Sequence, residues 1–382
     1  MTEREKRTIT LFSQYGALSK KELAEREGVS WATAVKQVTN LENAGILTCI
    51  GSELQPEVTG KNPLLYDLSD RHPLAIGLDL SSSTTTILLT NLKNTILHQA
   101  NRPTIKHPTL SQLQNFVITT CLDFAHQYLT DEDMLQGIGI SLPPGLVQDD
   151  QHTMLPHLRK ALGTALHTQV QIESNVRCYT LYQKWAGKAF SLDDFLLVLI
   201  QDTIGTGIFC QGKLLRGAHG LAGEIGHLSI LGTGSLCRCG KRGCLETLIN
   251  QDMLYQQHAQ QILQSSVPLA SSPGDAEIHE GLITLFSLAK QGQPQASALV
   301  QQAARYLGVA VTALLLILDI PHILIAADFG PDGDALLSAL RQEVQRHAMA
   351  GNDYTIAYYP LDQIGFARGA ALLMLQDYFT KL

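Results

Sequence analysis

Ten residues near the middle of the chain, Cys237-Arg-Cys239-Gly240-Lys-Arg-Gly243-Cys244-Leu-Glu246, constrain its fold more than any other stretch. Three thiols fall within eight positions, and the glycines between them let the backbone wrap around one point. His227, ten residues upstream in Gly223-Glu224-Ile-Gly226-His227, can supply a fourth ligand. Three thiolates and one imidazole form a closed tetrahedral set of the kind Zn2+ accepts in structural sites. The spacing therefore predicts one zinc ion per chain on His227, Cys237, Cys239 and Cys244. Glu224 and Glu246 bracket these ligands, so a fold that closes around the metal also gathers two carboxylates. The predicted result is a polar-ligand pocket built on a zinc staple.

A disulfide reading of the thiols fits poorly. The chain has seven cysteines, an odd number, and Cys49, Cys121, Cys178 and Cys210 are scattered singly among apolar neighbours. The N-terminus, Met1-Thr-Glu-Arg-Glu-Lys-Arg, is charged, unlike a secretory leader. The longest apolar stretch, around Val309 to Ile320, is too short to span a bilayer. These features predict a reducing, cytoplasmic setting with no membrane partner, where clustered thiols hold metals more often than bridges.

With 382 residues the chain has room for two or three domains, and its net charge of −7 gives no global signal for nucleic acid. The expected division is 1–70, 71–190 and 191–382, with the last helix returning to pack on the middle domain. The first seventy residues read as a separate module. Ile9, Leu11 and Phe12 mark a first helix over Thr8 to Tyr15, stopped at Gly16. Ser19 caps a helix over Lys20 to Glu27, with Glu22 completing a capping box, and Gly28 breaks it. Ser30 caps a second helix from Trp31 to Ala44, whose apolar stripe is read as Val35, Val38 and Leu41. Helix, glycine-containing turn, helix is the helix-turn-helix arrangement. Ile46 to Ile50 and Leu64 to Leu68 are read as the strands of a wing, with Thr59 to Pro63 at its tip.

The second helix would face DNA with Trp31, Thr33, Lys36, Gln37 and Asn40. Thr, Gln and Asn hydrogen-bond base edges and Lys36 reaches a phosphate. Charge argues the other way: residues 1–70 hold eight Lys and Arg against ten Asp and Glu, a net of −2. A protein-docking winged helix is the competing reading. Paired half-sites predict a homodimer or homotetramer.

From Leu74 onward strands and helices alternate. Ala75 to Leu80, Thr86 to Leu89, Phe195 to Ile200 and Ile323 to Ala327 read as strands, Gly137 to Gly145 as a buried strand ending at a ligand edge, and Ala296 to Leu318 as a long helix. Two such α/β halves predict two lobes around a cleft. Gly217-Ala-His-Gly220-Leu-Ala-Gly223-Glu224-Ile-Gly226-His227, followed by Cys-x-Cys-Gly-x-x-Gly-Cys-x-Glu, resembles the signature of the ROK family of sugar kinases and transcriptional repressors. With the helix-turn-helix in front, the chain resembles the family's repressor branch. The resemblance implies a two-lobed actin-like (ribonuclease H-like) sugar-kinase fold behind an N-terminal winged helix-turn-helix domain. It implies that His227 binds zinc and touches the sugar, and that Glu224 and Glu246 accept bonds from sugar hydroxyls. It also places Gly145, after Pro144, against the sugar.

The transfer machinery of the family is degraded here. Its first phosphate loop reads Asp-x-Gly-Gly-Thr, whereas this chain has Asp79-Leu-Ser81-Ser82-Ser83-Thr84, and the serine Cβ atoms hinder close phosphate approach. Its catalytic stretch Glu-Asn-Asp-Ala-Asn aligns with Glu173-Ser174-Asn175-Val176-Arg177. Ser174 thus replaces a sugar-binding Asn, and Asn175 replaces the catalytic base, a role an amide cannot fill. Asp202 adds negative charge to the second phosphate loop, and Ala326-Ala327 replaces the glycine pair near the adenosine site. Arg177 is read either as a partner for a ligand phosphate or as an ion-paired arginine.

The combined expectation is a sugar-responsive regulator, a repressor, rather than an enzyme. Its partners would be operator DNA and a sugar or sugar-phosphate effector bound by Glu224, His227, Glu246, Gly145, Ser174 and Asn175. An ATP-dependent sugar kinase and a regulator controlled by a protein partner are the alternatives.

Overall fold

The computed structural model describes residues 1–52, 62–81, 83–105, 108–130, 134–143, 151–261, 274–349 and 353–380, with the side chains of 151–154 and 261 set aside. The chain divides into two compact units, Met1–Ser191 with Ile364–Leu382, and Leu192–Gln363. The N-terminal module and the first α/β sheet thus share one unit.

In the first unit, α1 (Glu3–Tyr15) starts earlier than the apolar spacing predicts. Thr2 and Glu5 form a reciprocal capping box, and the charged first turns carry no apolar periodicity to betray the helix. After β1 (Leu18–Ser19), α2 (Lys20–Glu27) starts at the Ser19–Glu22 capping box and stops at Gly28, whose φ of 68° is left-handed. The chain continues through α3 (Trp31–Asn43), β2 (Leu47–Ser52) and β3 (Leu64–Leu68). The three strands pair antiparallel in the order β1-β3-β2. Ile9, Phe12, Leu23, Val38, Leu41 and Leu68 are all at most 2% exposed and form the core of this winged helix-turn-helix. The wing tip expected at Thr59 to Pro63 falls largely outside the described residues.

The α/β part of this unit contains β4 (Leu74–Asp79), β5 (Thr84–Thr90), β6 (Ile96–Pro103), α4 (Leu110–Tyr128), β7 (Leu135–Leu142), α5 (Gln151–Leu166), β8 (Val170–Ser174) and α6 (Asn175–Ala186). The sheet order is β6-β5-β4-β7-β8, with the first three strands antiparallel and the last two added in parallel. Every residue of β4 is buried, as expected for a central strand covered on both faces.

In the second unit, β9 (Phe195–Ile200), β10 (Ile204–Cys210) and β11 (Lys213–Leu214) precede α7 (Glu246–Ile249), α8 (Gln251–Gln261), α9 (Asp275–Lys290), α10 (Pro294–Leu318), β12 (His322–Ala327), α11 (Ala335–His347) and β13 (Thr355–Pro360). The order β11-β10-β9-β12-β13 repeats that of the first sheet. Two sheets with this 3-2-1-4-5 order are the ribonuclease H-like, actin-like fold. The core combines Leu196, Val198 and Ile325 from the sheet with Leu285, Phe286, Leu307 and Leu340 from the helices. Helix α10 is longer than the Val309 to Ile320 run read from sequence. It is the one helix among the described residues long and apolar enough to cross a bilayer, and half of its apolar window is buried inside the protein. The chain then returns to the first unit through α12 (Ile364–Leu375), which is buried along nearly its whole length. It lies so close to the first sheet that a Cβ on Gly77 would run into the Ala367 carbonyl oxygen.

Candidate metal and ligand site

Between β11 and α7 there is little regular structure, and backbone hydrogen bonds shape the segment instead. Gly240 N–H donates to the Cys237 carbonyl at 2.9 Å and Cys237 N–H to the Lys241 carbonyl at 2.8 Å, a tight knuckle that turns Cys237 and Cys239 towards one point. Gly243, with φ of 64°, brings Cys244 back; a Cβ there would strike the Leu231 carbonyl oxygen. Gly223, with φ of 88°, passes against Thr206 of β10 so closely that a Cβ would meet its carbonyl oxygen. That contact seats Glu224 and the short 3-10 turn Ile225–His227.

The outcome is a cluster of His227, Cys237, Cys239 and Cys244 whose ligand atoms all lie within 4.8 Å of one another. Cys239 Sγ is 3.6 Å from Cys244 Sγ, and Cys237 Sγ is 3.4 Å from His227 Nδ1. A tetrahedral zinc with Zn–S near 2.3 Å has S–S edges of about 3.8 Å and S–N edges of about 3.6 Å. The donor set therefore fits zinc in type, number and spacing. Burial pushes the Cys237 and Cys244 thiols up, whereas the Lys241 backbone N–H holds Cys239 below the usual thiol range. Lys241 Nζ donates to the His227 carbonyl at 2.9 Å, placing a positive charge beside the thiols.

Glu246 enters the same cluster at the first position of α7. It is 5% exposed, with Oε1 at 3.2 Å from His227 Nδ1, 3.0 Å from Cys237 Sγ and 3.3 Å from Arg238 Nε. Glu224 is half-buried just before the 3-10 turn, and its carbonyl accepts from the His227 N–H at 3.1 Å. One short segment thus carries three thiols, an imidazole and two carboxylates. Arg238 is not among the residues the sequence assigns to this group, although its place between two cysteines of the cluster was a usable signal.

The remaining predicted ligand residues belong to the first unit. Ser174 and Asn175 stand where β8 turns into α6. Ser174 is the N-cap residue, but its side chain makes no cap bond, and its Oγ has no hydrogen-bond partner among the described residues. Asn175 is buried, and its Oδ1 accepts from the Val176 N–H at 2.8 Å. Arg177 lies one turn into α6 and forms a 3.0 Å ion pair with Glu173, both side chains at most 10% exposed. Gly145 and Ser82 lie outside the described residues. Asp79 ends β4 fully buried, and the Ser81 hydroxyl lies 2.7 Å from each of its carboxylate oxygens. Burial raises the Asp79 carboxyl from 3.8 to about 6 against the lowering effect of the Ser81 bond. In the second unit Asp202 is exposed in the turn from β9 to β10, and Ala326 and Ala327 are buried at the end of β12.

On the winged helix, α3 exposes Trp31, Lys36 and Asn40, while Thr33 is half-buried with Oγ1 2.9 Å from Ser30 Oγ. Gln37 corrects the sequence reading. It is 5% exposed, and its Nε2 donates to Glu27 Oε1 at 3.2 Å. The buried residues of α3 are Ala34, Gln37, Val38 and Leu41 rather than a stripe starting at Val35, which turns Gln37 inward. Thr39 and Asn43 are exposed instead, at helical spacing from Lys36, a repeat visible in the sequence but not used.

The profile of the ROK family matches residues 75–377. The DNA-binding transcriptional dual regulator NagC of Escherichia coli (strain K12) is 26% identical over 89% of this chain and 84% of its own. The xylose repressor of Bacillus subtilis (strain 168) is 25% identical over 96% and 92%, respectively. Among solved structures, a ROK family transcriptional regulator described as a homologue of the E. coli MLC protein superposes with a TM-score of 0.76. It is 23% identical and covers 98% of this chain and 96% of its own.

Proposed function

The chain belongs to the ROK family, and from that premise we propose that it is a sugar-responsive transcriptional regulator, a repressor of carbohydrate-metabolism genes. One combination carries the reading: a winged helix-turn-helix joined to a carboxylate-flanked zinc set, in a chain whose base position is Asn175. The E. coli and B. subtilis relatives, matched over 84% and 92% of their own chains, are named as a transcriptional regulator and a repressor, which supports it.

Operator DNA would be read by the exposed face of α3. Trp31 and Lys36 reach the backbone and Thr39 and Asn40 the base edges, and a second copy in a dimer supplies the other half-site. The effector is a sugar or sugar phosphate. On the second unit Glu224 and Glu246 accept hydrogen bonds from adjacent hydroxyls and His227 orients the ring; on the first unit Ser174 and Asn175 offer a hydroxyl and an amide to a ligand. Bonds of this kind discriminate strongly between sugars, because an unmatched hydroxyl leaves a buried polar group unpaired. Zinc, held by His227, Cys237, Cys239 and Cys244, supplies a cross-link that fixes the imidazole and the two carboxylates of one loop relative to each other. No group at position 175 can take a sugar hydroxyl proton, so the effector is bound and released unchanged. It alters DNA affinity only through a difference in its own affinity for the DNA-competent and DNA-incompetent states.

The test is a footprint on DNA upstream of the chain's own gene at low salt, followed by relief with a panel of hexoses, pentoses, amino sugars and their phosphates. Absence of any footprint sinks the proposal. If DNA is bound, Lys36→Ala lowers the slope of log affinity against log salt by about one, the effect of one lost phosphate contact. Gln37→Ala leaves that slope alone and lowers the melting temperature instead, because its amide is committed to Glu27.

A further inference from the structure

The last described residues lie against the first helix of the DNA-binding module. After α12 a 3-10 turn, Gln376–Tyr378, presents Phe379 and Thr380. The Thr380 N–H donates to Thr10 Oγ1 on α1 at 3.1 Å, and the Thr380 hydroxyl donates to Glu3 Oε2 at 2.9 Å. Thr10 is 2% exposed, and its hydroxyl accepts from that amide in a part-buried contact. Phe379 is buried and stacks on Trp185 of α6, with ring centroids 4.9 Å apart and planes 20° from parallel.

The opposite side of α1 reaches the recognition helix. Two residues along a helix rotate the side chain by about 200°, so Thr8 and Thr10 point in opposite directions. Thr8 Oγ1 lies 3.2 Å from Glu27 Oε1 at the end of α2, and the same oxygen accepts from Gln37 Nε2 of α3 at 3.2 Å. Thr8 and Glu27 are 0% and 8% exposed. Contacts therefore run from α6 through Trp185 and Phe379 to Thr380 and Thr10 on one side of α1, and from Thr8 through Glu27 to Gln37 on its other side, the two sets joined by the α1 backbone. They begin at the helix that opens with Ser174 and Asn175 and end inside α3.

We propose that the segment Gln376–Thr380 is the link through which the state of α6 sets the mobility of the recognition helix, with Thr10 and Thr8 as its positioning residues. The inference rests on the reading of α3 as the DNA helix and of the α6 start as part of the effector site. Physically, a ligand that shifts α6 moves Phe379 with it, because the ring is stacked and buried. Buried contacts have few alternative arrangements, so the shift passes to α1 rather than dissipating. By linkage, DNA held on α3 stabilises the same segment in return.

Hydrogen exchange on the full-length protein, with neither DNA nor sugar present, tests the link apart from the functional reading. Thr10→Val keeps the shape and leaves the Thr380 N–H without its acceptor. Amides of α3 and of Gln376–Thr380 are expected to exchange about five-fold faster, the factor one lost hydrogen bond carries, with β9, β10, β12 and β13 unchanged. Trp185→Leu is expected to accelerate the same α3 amides, and the double variant to exchange no faster than the quicker single one within a factor of two. Unchanged α3 exchange in Thr10→Val, or effects that multiply in the double variant, overturns the proposal. Should Trp185→Leu fail to fold, Thr10→Val paired with deletion of residues 379–382 gives the same comparison. A link present in exchange but followed by no footprint would leave this inference standing and remove the DNA-binding reading.

Discussion

Asp79 is the residue at which burial and charge oppose each other most directly. Its carboxyl is raised to about 6 by burial, although the Ser81 hydroxyl stabilises the ionised form. Between about pH 4 and pH 6 the folded chain keeps a proton there that the unfolded chain has already released. Stability therefore falls as pH rises through that window and stays lower above it. The shift of roughly two units corresponds to about 3 kcal/mol. Asp79→Asn removes the charge at nearly constant shape, so urea unfolding should show a gain of about 1–3 kcal/mol at pH 7 and a flattened slope between pH 4 and 6. An unchanged slope would place the buried charge elsewhere. Ser81 is itself informative, since a hydroxyl now lies against the carboxylate where the kinases of the family carry a glycine. The substitution was legible in the sequence; its hydrogen bond to Asp79 was not.

Among the elements, the cysteine-rich segment between β11 and α7 is shaped mainly by backbone turns rather than by regular secondary structure. Its backbone turns bring together four donor side chains, and burial makes the Cys237 and Cys244 thiols resist ionisation. Metal analysis should return about one zinc per chain, with His227, Cys237, Cys239 and Cys244 as ligands. Removal by a strong chelator, or Cys239→Ala, should lower the melting temperature by roughly 5–10 °C, the shift that about 3 kcal/mol produces in a unit of this size. Full metal content in Cys239→Ala would remove that residue from the ligand set. The helices show how elements become visible or stay hidden in a sequence. Helix α2 was legible because Ser19, Glu22 and Gly28 punctuate it. The start of α1 was not, because its first turn is held by Thr2 and Glu5 and exposes only charged side chains.

At the scale of the whole molecule, the same five-strand order occurs in both units, and the chain crosses from the first to the second and back through α12. The positions at which the chain departs from the transfer motifs of the family's kinases are distributed over both. Asn175 and the Asp79–Ser81 pair belong to the first unit, Asp202 and Ala326–Ala327 to the second. Restoring one part should therefore not restore transfer. Asn175→Asp is expected to give no sugar-dependent ATP hydrolysis above background in a coupled assay with a hexose panel. A rate in that variant which disappears on adding Glu224→Ala would show that the base alone was missing.

The sequence by itself determined what depends on local spacing and residue chemistry. The His/Cys donor cluster, the helix-turn-helix and the amide at position 175 all lie within short segments, where a few residues fix both geometry and chemistry. Tertiary structure decided what depends on which face of an element is covered. Packing of α1 and α2 against α3 turned Gln37 inward and left Thr39 and Asn43 outside. The fold also brought Arg238 onto Glu246, paired Arg177 with Glu173 and laid Thr380 against Thr10. Those contacts join residues whose proximity follows from burial, and burial is settled only when the whole unit has packed.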